Sequence, residues 1–218
     1  MSASGNGPLR PGADGPEAPP VGSSAMRVVE TVVGRFFPLA FRDDDGADGF
    51  ELWRLPNDPA SPHVAAVRDL FLETFGMSPQ RFDAFIEPEE GTHRRLIVAA
   101  RKQIICGGIL YLMADNSVRP PERAVDGGYI SYIATRKKVR AQGAGRALLA
   151  LADADFIVNN HTVSRLVRLD PRHTAFFEAA GYRRTEGGSY GDMHKSLDLS
   201  PASRAAAQAS LDGLLTLY

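Results

Sequence analysis

Only one cysteine, Cys106, occurs in the 218 residues. A single thiol excludes an intrachain disulfide framework and any multi-cysteine metal site, so no metal is expected. Its place inside the apolar run "QIICGGILYLM" predicts a buried structural residue. Neither sign of charge is in excess: 25 Lys and Arg stand against 26 Asp and Glu. Bulk attraction to nucleic acid or to an anionic membrane is therefore not expected. No apolar stretch approaches the roughly 20 residues of a membrane span. The first 24 residues lack the apolar core of a signal peptide. A cytoplasmic protein is the default expectation.

Large apolar residues are also nearly missing from residues 1–25, where Gly, Pro, Ser and Ala dominate, and this segment is predicted to be a disordered tail. Residues 26–49 read as an N-terminal extension with Val28, Val29, Val32, Val33, Phe36 and Phe37, ending in the turn "DDDGADG". The remainder is ordinary for one globular domain with extensions: 44% of the chain is hydrophobic and 23% charged.

From Phe50 the punctuation is regular. "FELWRL" predicts a strand with Phe50, Leu52 and Arg54 on one face. Ser61-Pro62 and Ser78-Pro79 each match an N-cap serine followed by proline at the first helical position. Val64, Val67, Leu70, Phe71 and Phe75 form an apolar stripe on the first of these helices. "RRLIVAA" and "QIICGGILYLM" predict a hairpin about Arg101-Lys102, and a strand follows at 128–135. A helix from Gly143 to about Val158 carries Leu148, Leu149, Leu151, Ala152 and Phe156 on one face, with Asp153 and Asp155 opposite. "SRLVRL" predicts a strand, "HTAFFEAAGY" a short helix closed by Gly181, and "GSYGDMHKSLDL" the last strand. An Ala-rich helix begins at Ser200-Pro201, and its Leu211, Leu214 and Leu215 suggest self-association as a homodimer.

Chemistry concentrates in "ISYIATRKKVRAQGAGRALLALADADF". A helix starting at Gly143-x-Gly145 presents unpaired N–H groups and the positive end of its dipole, which suits phosphate. Arg140 adds a forked cationic donor. The dinucleotide pattern G-x-G-x-x-G fails, because its third small residue would be Leu148, and no P-loop Lys-Ser/Thr pair follows.

Arg140-x-x-Gly143-x-Gly145, between a strand and a helix, resembles the acyl-CoA motif (Q/R-x-x-G-x-G/A) of the GNAT superfamily of N-acetyltransferases. "AFFEAAGY" is similar to that family's second motif, A-x-x-F-Y-x-x-x-G-F. The resemblance spans about 50–199, making 200–218 a C-terminal helix outside the domain. It implies an α/β (α+β) fold with a mixed, mostly antiparallel sheet, splayed between two neighbouring strands and flanked by helices. It also implies acetyl-CoA, or another acyl-CoA, as co-substrate. The amides and side chains of Arg140, Ala141, Gln142, Gly143, Ala144, Gly145 and Arg146 would hold the pyrophosphate, with Phe177 from the second motif beside the cofactor. Ile133, Ala134 and Thr135 would pair with the pantetheine arm and supply an oxyanion-stabilising N–H.

The family's usual proton-transfer residues are missing. The strand region Tyr129-Ile130-Ser131-Tyr132 has no carboxylate where a glutamate base is common, and Phe177 stands where a tyrosine acid is common. Tyr132, Tyr129 and His173 are the catalytic candidates, with His194, Glu87, Glu89 and Glu90 as further bases. Tyr182, expected in the core, and Tyr190 are further donors. The expected reaction is acyl transfer to a primary amine, on a small molecule or on a peptide or protein. A non-catalytic acyl-CoA-binding module is the alternative. So is an N-acyl amino acid synthase with a longer donor, which "DPRHTAFFEAAGY" faintly resembles. Trp53, Phe71, Phe75, Phe82 and Phe85 suggest helical core or a partly apolar acceptor pocket.

Overall fold

The computed structural model describes residues 50–101, 104–116, 126–167, 170–187 and 191–216. The predicted tail, the extension, Lys102 of the hairpin turn and Tyr190 lie outside these residues.

Strand β1 (Glu51–Leu55) leads into helices α1 (Pro62–Phe75) and α2 (Pro79–Ile86). Both helices have proline in their first turn, as the Ser-Pro pairs predict. Ser78 caps α2 by accepting the Arg81 N–H at 3.2 Å, whereas the Ser61 side chain makes no such bond. Helix α1 stops at Gly76, whose φ of 62° is the left-handed conformation that glycine adopts without strain. The hairpin β2 (Thr92–Arg101) and β3 (Ile104–Ala114) follows, then β4 (Gly128–Thr135), helix α3 (Ala144–Val158) and β5 (Val163–Leu166). The short helix α4 (Thr174–Glu178), β6 (Arg183–Arg184), β7 (Met193–Ser196), α5 (Pro201–Asp212) and β8 (Leu215–Thr216) complete the chain.

The sheet order is β6-β7-β5-β4-β3-β2-β1-β8, with parallel pairing at β4/β5 and β1/β8 and antiparallel pairing elsewhere. Helices α1 and α2 cover one face. Phe71 and Phe82 are fully buried there against Leu96, Val98 and Leu110. Each such ring contributes roughly 1.5–3 kcal/mol of apolar burial. Helix α3 covers the other face, where Leu148, Phe156, Ile109 and Tyr111 form the larger core. Fit on that side is tight: a Cβ on Gly128 would lie 2.1 Å from the Phe156 ring.

One expectation is corrected. Asp153 and Asp155 do not face solvent; they are 5% and 4% exposed. Helix α5 packs on the outer side of α3, with Ala207 against Ala154 and Ile157, so α3 has no open face for them. Asp153 accepts hydrogen bonds from the Tyr182 hydroxyl (2.9 Å) and Lys195 Nζ (2.7 Å). Asp155 accepts from the Tyr111 hydroxyl (2.8 Å), with Arg95 and Arg54 at 3.7 and 4.0 Å. Arg54 indeed shares the α3 face with Leu52, but as this ion-pair partner. Of the C-terminal leucines, Leu211 and Leu214 pack into the chain's own core, and the backbone of Leu215 pairs with Trp53 of β1.

Candidate active site

Strand β4 is the centre of the site. It pairs with β5 only through Gly128, Tyr129 and Ile130, while its residues 131–135 continue beyond the end of that ladder. The sheet is split at this point, as the predicted splay requires. On its other side β4 stays paired with β3 as far as Thr135. Arg136 then donates its N–H to the Cys106 carbonyl at 2.8 Å. Alternation along an antiparallel ladder therefore turns the N–H and C=O of Ala134 toward β3 and those of Ile133 and Thr135 toward the split. A ligand chain lying there can pair with both.

A bulge at Ser131 reorients the side chains. The register passes from Tyr111↔Ile130 to Leu110↔Tyr132, so Ile130 packs in the α3 core and Tyr132 in the α1/α2 core. Without the extra residue both would share one face. Tyr132 is clasped by Phe75 and Phe85, each 5.1 Å between ring centroids, with Phe71 at 6.3 Å.

The turn after β4 is held from below. Arg136 Nε donates to the Ile105 carbonyl at 2.7 Å, and Val139 packs on the core. Gln142 Nε2 donates to the Lys138 carbonyl at 3.3 Å, while its Oε1 accepts from Arg101 at 3.2 Å. Ala141 and Gly143 take φ of 64° and 91°. Two left-handed residues so close together curl the backbone and aim successive N–H groups at one point, an anion cradle. For alanine this conformation costs about 1 kcal/mol, a strain typical of functional turns. Helix α3 begins at once, with Ala144 and Ala147 buried, so the first amides of the helix stay unpaired at its mouth. A Cβ on Gly145 would meet the Phe176 ring at 3.4 Å, an ordinary contact, so alanine fits there. This agrees with the Gly/Ala alternation of the motif.

Lys137, Lys138, Arg140 and Arg146 are exposed around the cradle, and none has an ion-pair partner among the described residues. Unpaired cations beside free amides suit a polyanion. The Cys106 thiol, below the turn, is pushed up by burial, as expected of a structural thiol.

The other predicted residues separate. Tyr129 lies in the fully paired part of β4, before the split. His173 is exposed at the end of the turn Pro171–His173, and its N–H donates to the Asp170 carbonyl at 2.9 Å. Phe177, expected to touch the cofactor, is 2% exposed and packs edge-on against Tyr182. Its neighbour Phe176 is the ring beside the glycine loop, because one residue of helix is a rotation of about 100°. Adjacent phenylalanines give no signal of which faces the ligand. Tyr182 is core, as expected: its hydroxyl lies 2.6 Å from Ser164 Oγ, and burial and the Asp153 carboxylate push its pKa well up. His194 is engaged with Thr185 at 3.1 Å, and Glu89 with Arg94. Glu87 and Glu90 are exposed. The Arg101–Gln142 tie has no local signature, since its partners are 41 residues apart. Among the described residues no three His, Cys, Asp or Glu are gathered for a metal, and no helix is long and apolar enough to cross a membrane.

With this geometry in hand the relatives are informative. The sequence model described as "Acetyltransferase (GNAT) family" matches residues 64–182, more than half of the chain. No curated protein matches the sequence. Among solved structures, the ribosomal-protein-S18-alanine N-acetyltransferase from Escherichia coli is 14% identical, with a TM-score of 0.51 over 69% of this chain and 96% of its own. The aminoglycoside 6'-N-acetyltransferase from Enterococcus faecium is 16% identical, with a TM-score of 0.51 over 69% of this chain and 98% of its own. An aminoglycoside 6'-N-acetyltransferase complexed with coenzyme A is 16% identical, with a TM-score of 0.50 over 66% of this chain and 96% of its own. At these identities the likeness is one of fold.

Proposed function

This chain belongs to the GNAT family of N-acetyltransferases, and from that premise we propose that it transfers an acetyl group from acetyl-CoA to a primary amine by direct attack in a ternary complex. One observation carries the reading: the left-handed turn at Ala141 and Gly143, with its free amides, sits directly after the unpaired stretch of β4. The cradle and its unpaired cations fit the pyrophosphate of CoA, and Ile133 and Thr135 fit the amide-bearing arm. Acetyl is favoured over a longer acyl group by the packing behind the split. Phe71 and Val67 are fully buried, and a Cβ on Gly108 would already lie 2.9 Å from the Phe71 ring. A long chain has no room between α1 and the sheet.

In the reaction, the N–H of Ile133 or Thr135 donates to the thioester oxygen as the amine nitrogen attacks the carbonyl carbon. Charge then develops on that oxygen where a fixed dipole already points. Collapse breaks the carbon–sulfur bond, and the thiol's ordinary pKa of about 8.5 lets it leave as thiolate. Tyr132 is the one catalytic candidate at the split, and its hydroxyl orients the amine; the ammonium proton passes to water. Positioning of this kind accounts for catalysis without a strand carboxylate. The reaction belongs in the cytoplasm.

Gly143→Val tests the reading. Valine disfavours a φ of 91° and blocks the approach of phosphate to the turn, so calorimetric titration with CoA should show no binding while far-UV circular dichroism is retained. Thiol release from acetyl-CoA with amines should vanish with it. Wild-type affinity in the variant would sink the assignment.

A further inference from the structure

We propose that the acceptor is a small monoamine carried on an apolar, aromatic body, recognised by the wall of Phe75, Phe85 and Tyr132; this rests on the acetyltransferase reading above. The phosphate cradle lies at the start of α3, on that helix's side of the sheet. A donor entering there and following the split delivers its thioester toward the opposite face, between β4 and the helices α1 and α2. The bulge at Ser131 sends Tyr132 to that same face, so the acceptor approaches the reacting carbon past this ring.

What it meets there is an apolar rim rather than a finished core. Phe71 and Phe82 are fully buried, but Phe75 at the end of α1 is 42% exposed, and Phe85 and Tyr132 are half-buried. Two ring contacts of 5.1 Å, one tilted and one edge-on, join these three rings into one surface. Large apolar side chains left open to solvent beside a reaction centre mark a ligand wall. The rim's single polar atom is the Tyr132 hydroxyl, which makes no hydrogen bond among the described residues. One polar atom on an apolar wall matches one amine on an apolar body.

A polycation does not match. Binding several ammonium groups out of bulk water requires carboxylates aimed at each of them. The carboxylates near this wall are either held, as Asp83 is by Arg68 at 3.2 Å and Glu89 by Arg94, or open to bulk water, as Glu73, Glu87 and Glu90 are. The rings themselves select by contact area and by edge-to-face stacking, which a second aromatic ring satisfies and a hydrated sugar does not.

The test compares phenethylamine, ethanolamine and kanamycin as acceptors, read as thiol release from acetyl-CoA by the full chain. Phenethylamine should exceed both others at least tenfold in kcat/KM. Phe75→Ser, at a position exposed enough to tolerate it, should raise the KM for phenethylamine and collapse its advantage over ethanolamine, with an unchanged circular dichroism spectrum. Saturation-transfer NMR of phenethylamine with enzyme and CoA reads binding without turnover. If kanamycin or ethanolamine is preferred, the inference is overturned and the acetyltransferase reading stands. If no amine releases thiol but phenethylamine shows transfer that Phe75→Ser abolishes, the wall is upheld and the catalytic reading falls. Absence of both turnover and transfer overturns the wall.

Discussion

Helix α3 treats charge in opposite ways at its two ends. Around its first turn, Lys137, Lys138, Arg140 and Arg146 stand exposed, with no ion-pair partner among the described residues, beside free backbone amides. In its second half, Asp153 and Asp155 are buried and saturated by Tyr182, Lys195 and Tyr111, with two arginines close by. Carboxylates near a helix C-terminus oppose the dipole, so they persist there only because cations from β1, β2 and β7 compensate them. One end is left unsatisfied for a ligand; the other is tied to strands on both sides of the sheet. The tied end holds the open end still, and a rigid cradle loses less entropy when phosphate binds.

The contrast breaks first at the buried aspartates. Asp153→Ala removes one acceptor from the half-buried Lys195 and leaves the buried Tyr182 hydroxyl only Ser164, and Asp155→Ala takes the acceptor of the buried Tyr111 hydroxyl from between two half-buried arginines. Each should cost about 1–3 kcal/mol in urea denaturation, the usual penalty for removing one hydrogen-bond partner of a buried polar group. Asp153→Asn keeps volume and one acceptor and should cost less. A loss below about 1 kcal/mol would mean that the pairs do not anchor the helix.

At the open end the expected pattern is reversed. Arg140→Ala removes no contact within the described residues, so the denaturation midpoint should stay in place. A charged hydrogen bond contributes about 1.5–3 kcal/mol, so CoA affinity should fall about ten- to a hundredfold by calorimetry. A variant that loses stability while keeping affinity would place Arg140 in the scaffold instead.

The two ends also differ in how far the sequence discloses them. The cradle is local: Arg140, Gly143 and Gly145 lie within six positions, and their spacing alone requires a turn before a helix. The same locality makes the Ser-Pro helix starts and the strand at 128–135 readable. The buried aspartates are not local. A single-helix projection puts Asp155, seven residues after Leu148, on that residue's own side and Asp153 on the flank, so only their charge argues for an outward position. It has no knowledge of α5, which closes the outer side, or of partners such as Tyr111 and Lys195, 44 and 42 residues away. The bulge at Ser131 and the choice of Phe176 over Phe177 are hidden for a related reason. A one-residue change of phase leaves composition untouched and reverses which side chain faces the glycine loop or the helical core.

The smallest effect lies just past the tied end, at His161, and it separates pairing by charge from pairing by neutral hydrogen bonds. The imidazole is 1% exposed and packs edge-on to Phe156 at 6.4 Å. Its Nδ1 accepts the Gly127 N–H at 3.2 Å, which requires that nitrogen to be unprotonated. Burial lowers its pKa below the ordinary 6.5, and the nearby carboxylates of Asp126 and Asp155 oppose this without reversing it, while His93 adds to the lowering. The unfolded chain therefore takes up a proton on acidification before the folded chain does. The stabilisation is complete above pH of about 6.5 and is lost as pH falls through the folded pKa. One proton limits the slope to about 1.4 kcal/mol per pH unit. Thermal unfolding from pH 7 to 5 should show the wild-type Tm falling more steeply than that of His161→Gln, which has nothing to protonate. Parallel pH profiles would assign the acid sensitivity to other groups and leave the tied end of α3 held by its ion pairs alone.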